Sequence, residues 1–177
     1  MLYSTHYLTP VGEYLIVSDG DNITGMWMIG QKYFVHNVKE DIEKKLNLPI
    51  FTVIKNWLDR YFVGEKPAIF ELPLAPRGSE FQQNVWNILI EIPYGEVTTY
   101  GKIAQKIATL QGKNRMSAQA VGGAVGHNPI SIIIPCHRVV GSDGSLTGYA
   151  GGIDTKLKLL EHEGVDVSNL STPKRTP

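Results

Sequence analysis

A chain of 177 residues with 42% hydrophobic content can hold one medium-sized domain or two small ones with a buried core. Seventeen basic and seventeen acidic residues give a formal net charge of zero, so total charge alone argues against a nucleic-acid partner. No apolar run reaches membrane-spanning length, no signal peptide is recognisable and the single cysteine excludes an internal disulfide, so a cytoplasmic protein without membrane association is expected.

The first predicted element is a β-hairpin. Two β-type runs, at residues 14–17 and 23–28, flank the turn-forming residues 18–22. Apolar runs separated by Ser, Asp, Gly and Asn are typical of two antiparallel strands joined by a tight turn. This part of the chain is therefore expected to form an antiparallel sheet.

Two helices are predicted after the hairpin. Asn37 and Glu40 are spaced like a capping box, which predicts a short helix ending near Asn47. A second helix is predicted from Thr52 to Phe62, since its apolar residues fall on one face and Gly64 provides a stop signal.

Residues 64–78 contain three prolines and two glycines, a composition typical of a linker. This segment predicts an N-terminal α/β domain at 1–75 and a second domain at 76–166. The polar residues 167–177 are expected to be a loose tail.

Three helices are predicted in the second domain. Ser79–Gln82 form a capping box for a helix that ends before Pro93, and apolar spacing indicates another helix over 100–108. Ser117 is placed to cap a third helix, from Ala118 to about Gly126.

The third helix is unusual because its face carries small residues, including Ala120, Gly122, Gly123 and Ala124. Each glycine weakens a helix by about 1 kcal/mol relative to alanine, so two glycines call for a reason such as close approach to a neighbouring helix or a nucleic-acid groove. Two helices joined by a short loop also fit a helix-turn-helix, although many helical hairpins share that pattern.

Charge is distributed unevenly along this domain. No Asp or Glu occurs from Val97 to Ser142, whereas five basic residues do: Lys102, Lys106, Lys113, Arg115 and Arg138. A locally basic surface can bind phosphates on a protein whose net charge is zero. Five basic residues are also compatible with an ordinary solvent-exposed surface that binds no nucleic acid.

The only cysteine, Cys136, follows a run of three isoleucines and Pro135. The isoleucines predict a buried strand that ends at the proline, which cannot donate to a sheet. A lone cysteine in this setting is often a small core residue. If Cys136 is a nucleophile, its neighbour His137 would act through a water, because successive side chains on extended backbone point to opposite faces.

The run Pro135–Val139, together with Asn128–Pro129, the glycine-rich 148–152 and the small residues 120–124, closely resembles the O6-alkylguanine-DNA alkyltransferases, or methylated-DNA–protein-cysteine methyltransferases. The resemblance extends over about residues 79–164. It implies DNA repair by stoichiometric transfer of the alkyl group from O6-alkylguanine to Cys136, with O4-alkylthymine as an open second substrate. The partner would be double-stranded DNA, bound through its minor groove with the damaged base flipped out.

The resemblance also implies the architecture: an α+β protein with a small ribonuclease-H-like N-terminal domain and a mainly helical, winged-helix-like C-terminal domain containing a helix-turn-helix. No cofactor is implied. The single cysteine excludes the Cys/His zinc site of some members, so no metal is expected. A monomer is expected.

Site residues follow by matching positions to the family. Cys136 would be the nucleophile and alkyl acceptor, His137 the general base through a water, Glu163 the group that orients His137, and Asn128 a support for the site. Substrate-binding residues would be Tyr100, Val139, Tyr149, Ala150 and Gly151. DNA-binding residues would be Lys113, Arg115, Ser117, Gln119, Ala120 and Gly123. Tyr100 as a packing aromatic and Glu163 as a solvated helix end stay open as alternatives, and Arg138 would be mainly structural.

Two positions depart from the family. Gln119 stands where members often have an arginine that fills the gap left by the flipped base, and Ser131 stands where some have a proline lining the pocket. The strength of DNA binding and the tolerance of bulky adducts are therefore open. Two other classes compete with repair: a damage-binding relative, which would lack Cys136, and a Cys-His hydrolase, for which no oxyanion-hole motif is recognisable.

Overall fold

A computed structural model describes residues 1–36, 38–146 and 149–171, and shows an α+β protein. Its N-terminal part is a four-stranded sheet in the order β3-β2-β1-β4, formed by β1 (Leu2–Thr9), β2 (Gly12–Ser18), β3 (Ile23–Met28) and β4 (Ile42–Lys44). The predicted hairpin is confirmed, since β2 and β3 pair antiparallel. The sheet is mixed rather than purely antiparallel, because β4 runs parallel to β1.

The predicted helix ending near Asn47 is wrong for the residues that the structure describes, and its proposed cap, Asn37, lies outside them. β4 occupies this stretch instead, with Leu2 opposite Ile42 in the parallel pairing. Ile42 packs against the cluster of Leu2, Val17 and Trp27. Strand pairing and burial thus override a local capping pattern.

The helix predicted at 52–62 is confirmed as α1 (Pro49–Phe62), which begins three residues earlier than predicted. Pro49 can open it because the first helical position needs no backbone N–H donor. Gly64 follows with a φ of +95°, a conformation that favours glycine. α1 buries Phe51, Ile54 and Leu58 in the main core.

Four further helices form the C-terminal part: α2 (Glu80–Ile90), α3 (Tyr100–Leu110), α4 (Ala118–Gly126) and α5 (Ile153–His162). The capping box of Ser79 and Gln82 is confirmed, and the Ser117 hydroxyl accepts from the Ala120 amide at the start of α4. β5 (Thr98–Thr99) and β6 (Val139–Val140) form a short parallel pair. Within the described ranges, no helix is both long and apolar enough to cross a membrane.

The predicted linker and the described part of the predicted tail, residues 167–171, both make hydrogen bonds or bridges to the rest of the chain. In the predicted linker, the Pro73 carbonyl accepts from the Ile23 amide at 2.8 Å, and the Ala75 amide donates to the Ile23 carbonyl at 2.8 Å. In the predicted tail, Val167–Asn169 form a 3-10 turn and Ser171 bridges to Ser145. The division into domains at 75/76 stays a prediction.

The sheet also binds the segment that leads to the cysteine. The Met26 amide in β3 donates to the Pro129 carbonyl at 2.7 Å, and the Ser131 amide donates to the Met26 carbonyl at 2.9 Å. One buried cluster joins side chains of the sheet, such as Tyr14, with Ile133 and Cys136. The N-terminal sheet therefore helps to position Cys136.

Candidate active site

The three isoleucines before Cys136 are buried as predicted, but they form tight turns rather than a strand. Ile132 has a left-handed φ of 69°, and the Ile134 amide donates to the Ile130 carbonyl at 3.1 Å. The Asn128 side chain satisfies backbone groups that a neighbouring strand would otherwise bind. Its Nδ2 donates to the Ile134 carbonyl at 2.8 Å, and its Oδ1 accepts from the Ile130 amide at 3.0 Å. These turns lead into a 3-10 turn, Cys136–Arg138, in which Cys136 is the first residue.

His137 is fully buried and hydrogen-bonded to Glu163, with 2.6 Å between its Nε2 and the carboxylate Oε2. Burial lowers the pKa of His137 below its ordinary value, although the bond to Glu163 opposes the shift. The imidazole is therefore neutral near pH 7, with its proton on Nε2 facing the carboxylate. Nδ1 then carries the lone pair, and no hydrogen-bond partner for it lies among the described residues.

Glu163 is 5% exposed, which contradicts its reading as a solvated helix end. Besides His137, its carboxylate accepts from the Tyr61 hydroxyl at 2.6 Å and from Arg138 Nε and Nη2 at 2.8 and 3.0 Å. Burial alone would raise the pKa of Glu163, but the hydrogen bonds and charges of His137 and Arg138 hold it well below its usual range. Glu163 is thus ionised, and Arg138 neutralises it inside the protein.

The Cys136 thiol is 5% exposed. Burial raises its pKa above the ordinary value, while the Asn128 amide and the Lys156 charge favour the thiolate and limit the rise. The resting protein therefore holds a protonated thiol, and reaction requires a base to remove the proton.

Sequence reasoning missed two residues near the thiol, Lys156 and Tyr14. Lys156 is fully buried, and its Nζ lies 5.9 Å from the centre of the Tyr100 ring. Lys156 lies on the same face of α5 as Ile153 and Leu160, and this apolar spacing could have predicted that the lysine is buried. Tyr14 is buried in β2, and burial together with the charge of Cys136 raises its pKa. No sequence pattern distinguishes Tyr14 from an ordinary core residue.

Lys156 gives a pH-dependent prediction. Burial lowers the pKa of Lys156 to about 8, so its ammonium is mostly charged at pH 7 and favours the thiolate. Lys156→Met should raise the pKa of Cys136, because a positive charge that favours the thiolate is lost. Thiolate absorbance in a pH titration measures this directly, since the chain has one cysteine.

The matched control is Lys158→Met, which removes an exposed lysine from the same helix. It should leave the thiol titration unchanged. An unchanged midpoint in Lys156→Met would show that Lys156 does not influence the sulfur.

The proposed substrate-binding residues lie at the start of α3, in β6 and in the stretch before α5. Tyr100 begins α3 and is half-buried, whereas Val139 is buried in β6. The others, Tyr149, Ala150 and Gly151, precede α5 in a glycine-rich stretch of which Gly148 lies outside the described residues. Tyr149 and Ala150 line a cavity of about 520 Å³, which is also bordered by Gly122, Gly123 and Gly126 of α4 and by His127, the residue after α4. Burial and the charge of Cys136 raise the pKa of Tyr149, and Tyr149 packs against the buried cluster that includes Cys136.

The proposed DNA-binding residues form one exposed stretch. It comprises the loop before α4 and the outer face of α4, with Lys113, Arg115, Ser117, Gln119, Ala120 and Gly123. A Cβ added at Gly123 would meet no atom within 4 Å, so this face is open. Lys102 and Lys106 are exposed on α3, and the stretch is basic because no acidic residue occurs from Val97 to Ser142.

Comparison with known proteins gives two family matches. The model described as "6-O-methylguanine DNA methyltransferase, DNA binding domain" matches residues 80–165, and "6-O-methylguanine DNA methyltransferase, ribonuclease-like domain" matches residues 2–76. The methylated-DNA–protein-cysteine methyltransferase of Haemophilus influenzae is 44% identical over 99% of this chain and 94% of its own length. That of Methanosarcina acetivorans is 41% identical over 92% of this chain and 99% of its own.

Solved structures agree with these matches. A crystal structure of Mycobacterium tuberculosis O6-methylguanine methyltransferase has a TM-score of 0.78 and 40% identity, covering 92% of this chain and 93% of its own. The M. tuberculosis OGT structure in complex with DNA has a TM-score of 0.77 and 38% identity, covering 95% of this chain and 94% of its own.

Proposed function

Because this chain belongs to the methylated-DNA–protein-cysteine methyltransferase family, we propose that it repairs DNA by transferring the alkyl group of O6-alkylguanine to Cys136. The observation that carries the proposal is the buried arrangement of Glu163 and His137 directly beside the only cysteine. That arrangement provides a neutral base with its lone pair fixed on one known atom, which a buried thiol needs for reaction.

The proton path follows from the hydrogen bonds. Glu163 holds the Nε2 proton of His137, so Nδ1 is the atom that accepts the thiol proton, through a bridging water. Arg138 keeps Glu163 ionised, and Glu163 in turn stabilises the imidazolium that forms. Lys156 favours the thiolate during this step.

The thiolate then attacks the alkyl carbon. A sulfur–carbon bond forms, the carbon–O6 bond breaks, and its electron pair stays with the guanine. The leaving guanine takes up a proton, which the imidazolium can return through the same water, so an unmodified base is restored. The thioether product is not readily reversed, so each chain acts once. Transfer from O4-alkylthymine would follow the same steps.

The proposal extends to how DNA is bound. The outer face of α4 enters the minor groove, and Gln119 fills the gap left by the flipped base without adding charge. Lys113 and Arg115 bind phosphates because they are exposed and free of acidic neighbours in sequence. Tyr149, Ala150, Gly151 and Val139 surround the extruded base, and Tyr100 hydrogen-bonds to it.

The proposal also covers the domain folds, the oligomeric state, the location and the cofactor requirement. The N-terminal sheet with α1 corresponds to the ribonuclease-H-like arrangement, and α3 and α4 to the helix-turn-helix of a winged-helix-like domain. We expect a monomer that works in the cytoplasm and requires no cofactor.

The test is the intact mass of the protein after incubation with a duplex carrying one O6-methylguanine. We expect each chain to gain one methylene unit, about 14 Da, and then stop, while the duplex regains guanine. The same duplex with ordinary guanine is the control, and an O4-methylthymine duplex tests the second substrate. Tight binding without a mass gain would identify a damage-binding protein, and repeated product release without a mass gain would identify a hydrolase.

A further inference from the structure

The Glu163 carboxylate binds a donor that the proton path does not use. The Tyr61 hydroxyl donates to Oε2 at 2.6 Å, and the same oxygen lies 2.6 Å from Nε2 of His137. Arg138 Nη2 also donates to Oε2, at 3.0 Å, whereas Arg138 Nε and the Gly95 amide donate to Oε1 at 2.8 and 3.3 Å. Tyr61 and His137 therefore share one acceptor atom, the atom that holds the Nε2 proton.

Tyr61 comes from the N-terminal part of the chain and is held firmly there. It lies in α1 and is 1% exposed, and its ring stacks with Trp57 and meets Phe62 edge-on. The backbone is held as well, because His162 Nε2 lies 2.7 Å from the Tyr61 carbonyl. These contacts fix the ring, so the hydroxyl points at the Glu163 carboxylate before any reaction begins.

The Tyr61 hydroxyl is a permanent donor in this position. Burial raises the pKa of Tyr61 far above its ordinary value, and the charge of Glu163 raises it further, so the phenol keeps its proton. A hydrogen bond to a carboxylate oxygen stabilises its charge and weakens its attraction for other protons. Glu163 thus pulls less strongly on the Nε2 proton, and the imidazole of His137 becomes less ready to charge.

The His137–Glu163 pair is surrounded by other titratable and charged groups. They are Tyr94 in the turn after α2, Cys136 and Arg138 in the 3-10 turn, and Lys156 and His162 in α5. Burial lowers the pKa of His137, Glu163 opposes that shift, and the charges of Arg138 and Lys156 add to it. Tyr61 differs from the cations because its hydroxyl can be removed without changing any charge in the site.

We propose that Tyr61 is a positioning residue for the base: by donating to Oε2 of Glu163, its hydroxyl limits the pull of the carboxylate on the Nε2 proton and keeps His137 neutral and able to accept the thiol proton. The inference rests on the proposed function, in which His137 is that base. It gives the N-terminal part of the chain a share in the chemistry, since Tyr61 lies in the segment matched at 2–76 and the base in the segment matched at 80–165.

The test observes the Nε2 proton of His137 by NMR in the full chain without DNA. Tyr61→Phe removes the hydroxyl and keeps the ring. We expect the Nε2 proton to move downfield, because Oε2 loses a competing donor and accepts more strongly from Nε2. Replacement of Tyr61 by 3-fluorotyrosine, whose hydroxyl is a stronger donor, should move the same proton upfield. A damaged fold does not produce shifts of opposite sign, so the pair of changes separates this role from a structural one.

Single-turnover methyl transfer connects the bond to the chemistry. In Tyr61→Phe the ratio of the rate at mildly acidic pH to the rate at neutral pH should fall, because a more basic imidazole is protonated at higher pH and is lost as a base. This ratio does not depend on how much of the variant is folded. A ratio equal to that of the wild type would overturn the proposal.

Tyr94→Phe is the matched control, since the Tyr94 hydroxyl donates to the His162 carbonyl at 3.3 Å rather than to Glu163. It should leave both the Nε2 proton and the rate ratio unchanged. An unmoved Nε2 proton in Tyr61→Phe, or an equal displacement in Tyr94→Phe, would overturn the assignment of Tyr61. Absence of methyl transfer by the wild-type chain would instead overturn the proposed function, and the NMR comparison needs no transfer.

Discussion

Glu163→Gln is expected to lower the free energy of unfolding by about 3–5 kcal/mol, because it removes one partner of a buried ion pair. The two bonds from Arg138, at 2.8 and 3.0 Å, then end on a neutral amide, and the guanidinium is left uncompensated in the interior. Methyl transfer should fall by about 100-fold or more, since a neutral amide no longer stabilises the imidazolium that forms when His137 takes up the thiol proton. Urea unfolding and single-turnover kinetics measure the two effects.

Glu161→Gln is the matched control. It makes the same change from carboxylate to amide, but at an exposed residue in the last turn of α5. Its unfolding free energy should stay within about 0.5 kcal/mol of wild type. Equal stability of Glu163→Gln and Glu161→Gln would show that the buried carboxylate is not an ionised partner of Arg138.

Cys136→Ser is expected to abolish the mass gain completely while retaining binding to methylated DNA. A serine hydroxyl in the same place is a far weaker nucleophile, because it is almost never ionised near neutral pH. The side chains of His137 and Glu163 bond to each other rather than to the sulfur, so their arrangement should survive the change. Intact mass and fluorescence anisotropy with a labelled duplex test both halves of this expectation.

A thiol titration of the wild type provides the complementary control. The chain has a single cysteine, so unfolded protein should show one reactive thiol before the reaction and none after it. Methylation of Cys136→Ser, or a full thiol count in methylated wild type, would place the acceptor on another residue.

Features with local causes could be predicted from the sequence. The caps at Ser79 and Ser117 are formed within one helical turn, so the starts of α2 and α4 were correctly predicted. The hairpin of β2 and β3 was equally accessible, because four residues separate the two strands. The side-chain roles of Cys136, His137 and Asn128 came from a resemblance and remain proposals.

Features with distant causes could not be predicted in this way. β4 exists because Ile42 pairs beside Leu2, 40 residues earlier in the chain, which no local pattern records. The isoleucine run has strand composition, yet the Asn128 amide occupies its backbone groups and bends it into turns. Tyr14 shares a buried cluster with Cys136, more than 120 residues later, and β3 binds the segment at 129–131 that leads to the cysteine.

The bond between the Tyr61 hydroxyl and Glu163 joins residues that are 102 positions apart. Closing so long a loop is entropically costly and slow, so contacts of this kind form late in folding. During synthesis, the base that activates the thiol cannot be assembled until the ribosome has released residues beyond Glu163. Cys136 is therefore present in the nascent chain before the buried base that assists its reaction, and an incompletely made chain carries only an ordinary thiol.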